Sequence, residues 1–146
     1  MELNTASAAI SFAKRLEEDS AKFYEDLSRR YAKDKDIWLS FAQENRKNIV
    51  RVERTYYEVI TDAIEGCFAF NMNPDEYTFK TELVEGASYS EALAKAVEIE
   101  EKSIEFYSAA AEQSKSLMAD VPRAFAIIAK KRDNRRAILK SLLGIS

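Results

Sequence analysis

Histidine is absent from this chain, and cysteine occurs once, at Cys67. The first absence removes the usual general base and the commonest transition-metal ligand. The second excludes an internal disulfide and a cysteine-rich zinc or iron–sulfur site. Only three glycines and two prolines occur, which points to long uninterrupted helices. No run approaches ~18 consecutive apolar residues, so no membrane span is predicted. Met1 to Ala13 lacks the basic region and apolar core of a signal peptide. The formal charge of −3 argues against a general nucleic-acid partner. The C-terminal helix is locally basic (Arg123, Lys130, Lys131, Arg136 and Lys140 among others), which a solvated helix face explains. A reducing, cytoplasmic location fits.

What is present fits a globular domain. The 146 residues are 47% apolar and 32% charged, enough for one domain, residues 1–146, that buries about 70% of its unfolded surface. Four helical segments are predicted, over about 5–32, 37–65, 90–117 and 121–143, so the fold class is all-α. Asp36 is a candidate N-cap for the second helix, and Gly66 its stop. Ser88 with Glu91 forms a capping box for the third. Pro122 sits in the first turn of the fourth, which Gly144 ends. Short turns join the first pair of helices and the second pair, predicting two antiparallel hairpins. Residues 66–89 form a long crossover between them. It carries Phe68, Phe70, Tyr77, Phe79 and Tyr89, and Tyr77–Thr81 alternates as a short extended piece would.

The apolar stripes are interrupted at one level. On the fourth helix the stripe runs Phe125, Ile128, Arg132, Arg135, Leu139, Leu142, in steps of three and four. On the second it runs Trp38, Phe41, Asn45, Asn48, Val52, Val59, and on the first it includes Glu17 and Ser20. Uncompensated buried charge costs several kcal/mol, so both arginines need partners.

The two hairpins are also an internal repeat. Leu16–Tyr24 aligns with Ile99–Tyr107, with six of nine positions identical or conservatively changed. Trp38-x-x-x-Ala42-x-x-Asn45-x-x-Asn48 aligns with Phe125-x-x-x-Ala129-x-x-Arg132-x-x-Arg135. Through this repeat the chain resembles the rubrerythrin branch of the ferritin-like superfamily. Those four-helix bundles place a Glu on the first helix of each hairpin, a small residue three positions later and an aromatic seven later. Glu17, Ser20 and Tyr24 match that pattern, as do Glu100, Ser103 and Tyr107. The family's second-helix Glu-x-x-His is replaced by Asn45-x-x-Asn48 and by Arg132-x-x-Arg135. Its additional third-helix carboxylate falls at Ser103, and one cysteine cannot build a rubredoxin-like domain.

The resemblance implies a ferritin-like bundle that keeps only Glu17 and Glu100 of the di-iron ligands. Guanidinium cannot ligate metal. The arginines are therefore read as built-in cations, pairing Glu17–Arg132 and Glu100–Arg135, or crossed, through bidentate bonds. Asn45, Asn48, Ser20 and Ser103 would satisfy the remaining donors and acceptors. Tyr24 and Tyr107, with Phe41 and Phe125, are read as core aromatics. A register shifted by one would instead turn Glu18, Glu44, Glu101 and Asp133 inward. The leading expectation is a non-catalytic binding or assembly protein, a homodimer through the aromatic-rich crossover, with no cofactor. Two alternatives stay open: a di-iron-carboxylate oxidoreductase or iron-binding protein, including a rubrerythrin-like peroxidase with iron at an atypical site, and a small anion or polar ligand near Arg132 and Arg135.

Overall fold

The computed structural model describes residues 2–59, 70–116 and 120–144. These form four long α-helices: α1 (Ala6–Arg30), α2 (Lys35–Val59), α3 (Tyr89–Gln113) and α4 (Asp120–Leu143). Among the described residues there is no strand, and no helix is long and apolar enough to cross a membrane. Helix α1 packs on α2 and α3 on α4; α2 also packs on α4, and α1 on α3.

Local chemistry sets most helix ends. Thr5 caps α1, its hydroxyl accepting from Ala8 N at 3.1 Å. The capping box at α3 forms in both directions: Ser88 Oγ accepts from Glu91 N, and Glu91 Oε1 accepts from Ser88 N, each at 3.1 Å. Helix α2 starts earlier than Asp36 as a cap would require. Asp34 holds a left-handed backbone (φ 61°), and its carbonyl accepts from Ile37 N and Trp38 N. Its carboxylate accepts from the Tyr89 hydroxyl. Asp36 lies in the first turn of α2, where its charge favours the helix dipole. The predicted end of α2 at Gly66, and Phe68, lie outside the described residues; α3 ends at Gln113, short of the predicted 117, and a 3-10 turn, Ser114–Ser116, follows it.

Residues 70–88 run lengthwise along the bundle. Met72 and Leu3 form an isolated antiparallel bridge beside the start of α1. At the far end, Tyr31 Oη donates to Ala87 O at 2.6 Å and Arg30 Nη2 to Val84 O at 3.0 Å. Between them a 3-10 turn, Pro74–Glu76, is capped by Asn73, and Tyr77 packs edge-on against Phe106. Extended pairing therefore occurs at Met72, not over Tyr77–Thr81, because Leu3 and Asn4 offer the backbone partners. The described aromatics of this segment pack within the chain. Phe70 and Tyr77 are buried, Phe79 packs on the core, and Tyr89, at the start of α3, meets Tyr31 at a tilt and Trp38 edge-on.

The apolar core divides into two clusters. One contains Ile10, Ala13, Leu16, Phe106, Phe125 and Ile128. The other contains Tyr24, Leu27, Trp38, Phe41, Leu93 and Leu139. On every helix the buried residues between the two clusters are polar.

Candidate functional site

Steps of three and four along each helix keep one face inward. That face delivers Glu17 and Ser20 from α1, Asn45 and Asn48 from α2, Glu100 and Ser103 from α3, and Arg132 and Arg135 from α4. All eight are buried; Arg135 alone retains any exposure, at 3%. The shifted register does not occur. Glu18 and Asp133 are exposed, while Glu44 and Glu101 lie outward in ion pairs with Lys131 and Arg136.

Arg132 occupies the centre of the layer. Its Nε and Nη2 both donate to Glu17 Oε2, at 3.0 and 2.7 Å, and its Nη1 donates to Glu100 Oε1 at 2.7 Å. Nη2 also reaches Ser20 Oγ at 3.1 Å. One guanidinium thus bridges the two carboxylates, where one-to-one pairing was expected. Two N–H groups converge on one oxygen of Glu17 because the other, Oε1, already accepts from Asn45 Nδ2 (2.9 Å) and Asn48 Nδ2 (3.0 Å).

Arg135 is held differently. Its Nη1 donates to Glu100 Oε2 at 3.4 Å and to Asn45 Oδ1 at 3.3 Å, and Nη2 to Phe41 O at 3.3 Å. These bonds are longer than those of Arg132. Its guanidinium carbon lies over the rings of Phe41 (4.7 Å) and Tyr24 (5.5 Å), so cation–π contacts share in holding the charge.

Two hydroxyls complete the layer. Tyr107 Oη donates to Glu17 Oε2 at 2.7 Å, and Tyr24 Oη donates to Glu100 Oε2. Each tyrosine follows its own helix's glutamate by seven residues and reaches across to the other helix's glutamate. Both are core aromatics, as the spacing predicts, but their hydroxyls belong to the site. The seven-residue spacing was the available signal. Ser103 stands apart: its hydroxyl donates to Ile99 O at 2.7 Å, leaving it against α3's own backbone. Ser20 donates likewise to Leu16 O and so offers Arg132 a lone pair. Asn48 Oδ1 accepts from the half-buried Arg51 at 2.7 Å, a partner not foreseen in the sequence. Among the described residues no buried side-chain polar atom lacks a hydrogen-bond partner.

The electrostatics follow from these contacts. Burial pushes the Glu17 carboxyl up, but Arg132, with hydrogen bonds from Asn45 and Tyr107, outweighs it and the net direction is down. Burial works against the Arg132 charge, yet Glu100 and Glu17 raise its pKa above the ordinary arginine value. Burial and the neighbouring carboxylate, Glu100 or Glu17, hold the hydroxyls of Tyr24 and Tyr107 well above the usual tyrosine range. Two carboxylates and two guanidiniums make the layer neutral.

A di-iron centre does not fit this donor set. Dinuclear carboxylate sites draw on four carboxylates and two imidazoles. Here two carboxylates remain, every one of their oxygens already accepts, and a guanidinium fills the space between them. Compared with protein-family models, curated proteins and solved structures, the chain finds no match.

Proposed function

We propose that this chain is a rubrerythrin-related, ferritin-like bundle in which a Glu–Arg–Asn network stands in place of the di-iron centre. It acts in the cytoplasm as a non-catalytic binding or assembly protein. The observation that carries this reading is Arg132 bridging Glu17 and Glu100 at hydrogen-bond distance. A permanent cation in that position neutralises the carboxylates without metal and offers no lone pair to one. Kinship is supported by the paired Glu-x-x-Ser-x-x-x-Tyr stretches, whose tyrosines bond reciprocally. The lengthwise run of residues 70–88 supports a ferritin-like crossover.

Purified protein from iron-supplemented cells should contain iron, manganese and zinc only at trace level. Peroxidase and ferroxidase activities should be at background. One or two metal ions per chain by elemental analysis would overturn the proposal and restore the oxidoreductase reading. A homodimer belongs to the same proposal. Because the described crossover aromatics pack internally, the surface left for a second copy includes Val50 on α2 and Ile127 on α4, both exposed. Sedimentation at micromolar concentration should give the dimer mass; monomer alone removes this element.

A further inference from the structure

Arg132 and Arg135 differ in what they can still reach. Arg132 is fully buried and makes four short hydrogen bonds, all within the core. Arg135, by contrast, lines an open cleft of about 290 Å³ between α2 and α4. That volume is just below the usual range for small-molecule sites, about 300–1,000 Å³, and suits a ligand of few atoms. Lys47 and Lys131 line the same cleft from opposite helices. Lys131 pairs at 3.5 Å with Glu44, which also lines the cleft, whereas Lys47 has no ion-pair partner among the described residues. The charge of Arg135 is matched by Glu100, so one positive charge in the cleft is uncompensated. The apolar side is supplied by Phe41 and Ile138, and neutral hydrogen-bonding groups by Ser40, Gln43 and Asn134. Outside the neutral layer, helix α4 keeps five basic residues against two acidic ones.

We propose that the cleft between α2 and α4 is a binding site for a small organic carboxylate. Its charged end meets Lys47 and Lys131, and its apolar body lies on Phe41 and Ile138. The uncompensated charge calls for one anionic group, and the apolar wall favours an organic acid over a fully hydrated inorganic anion. This inference rests on reading the arginine layer as permanent, since a metal in the core would rearrange Arg135. Metal analysis and ligand titration fail separately, so the two proposals can be told apart.

The test is a titration of ¹⁵N-labelled protein with sodium benzoate, alongside sodium chloride and sodium phosphate at matched ionic strength. Benzoate should give saturable shifts centred on Ser40, Gln43, Lys47, Lys131 and Asn134. Lys47→Glu/Lys131→Glu should weaken binding by about tenfold or more. Its melting temperature checks that the fold is intact. Ile138→Trp, which fills the cleft and leaves every charge in place, should weaken benzoate similarly. Equal shifts from chloride, equal affinity for phosphate, non-saturating shifts, or unchanged binding in both variants would each overturn the proposal.

Discussion

Helices α1 and α3 obey the internal repeat, and helices α2 and α4 break it. On α1 and α3 the same residues recur: Glu17 with Glu100, Ser20 with Ser103, Tyr24 with Tyr107. The two tyrosines even exchange glutamates, each donating to the opposite helix. On α2 and α4 the matching positions hold two neutral amides against two cations. The layer of the first hairpin therefore carries one negative charge and that of the second one positive charge. Neither hairpin could bury its layer alone without an unpaired ion; docked together they are neutral. The broken half of the repeat thus makes the two hairpins depend on each other, a use of buried charge for register and specificity.

The first way to break this comparison is to remove the bridging cation. Arg132→Met leaves Glu17 without a counter-charge in the core and should cost about 3–5 kcal/mol in urea unfolding. Glu17→Gln/Arg132→Met removes one charge from each hairpin, keeps an acceptor for Asn45 and Asn48, and leaves Arg135 to balance Glu100. The double variant should be more stable than Arg132→Met, a coupling that a double-mutant cycle measures. A loss below about 1 kcal/mol for Arg132→Met would mean that the hairpins do not depend on this charge.

The second comparison is between the two arginines. Arg135→Met removes one ion pair at 3.4 Å, two ring contacts and the long bonds to Asn45 and Phe41, and Glu100 keeps both Arg132 and Tyr24. The expected loss is about 2 kcal/mol, smaller than for Arg132. Equal losses from thermal or urea unfolding would show that the longer bonds of Arg135 matter as much as the short ones of Arg132.

That difference in depth was not legible in the sequence, although much else was. Steps of three and four located six residues of the layer, because helix periodicity and burial are tightly linked, and the internal repeat added Glu100 and Ser103. The capping box at Ser88 was legible because both its partners are local. Pairing was not, since it depends on how far each side chain extends across the bundle. Arg132 and Arg135 occupy one stripe, yet the rings of Phe41 and Tyr24 hold Arg135 aside while Arg132 passes between the carboxylates. Ser103 was misread for the opposite reason. A short hydroxyl satisfies itself on the preceding turn, so helix position alone does not bring it to the arginines. The start of α2 was misplaced because Asp34 serves two partners: its carbonyl begins the helix while its carboxylate holds Tyr89.

The smallest effects test the half of the repeat that holds. Glu17 accepts from five donors and Glu100 from three, so each loses a tyrosine hydroxyl at a different cost. Tyr24→Phe takes one of three bonds from Glu100 and should cost about 1.5–2 kcal/mol. Tyr107→Phe takes one of five from Glu17 and should cost about 1 kcal/mol. Both changes also alter the response to pH. The folded-state pKa values of these hydroxyls are raised, so their contribution is fully present below the ordinary tyrosine pKa of about 10. It is lost as pH rises through the folded values, because the unfolded chain ionises first. Glu17 acts with the opposite sign. Its pKa is lowered, so its contribution is present above the ordinary carboxylate range and lost as pH falls through the folded value. Stability of the parent protein should therefore decline above about pH 10, and Tyr24→Phe/Tyr107→Phe should flatten that alkaline limb while leaving the acid limb in place. Urea midpoints measured from neutral pH to pH 11 check this. If the double variant falls as steeply as the parent, other groups set the alkaline limb, and the reciprocal tyrosine bonds contribute less than their geometry implies.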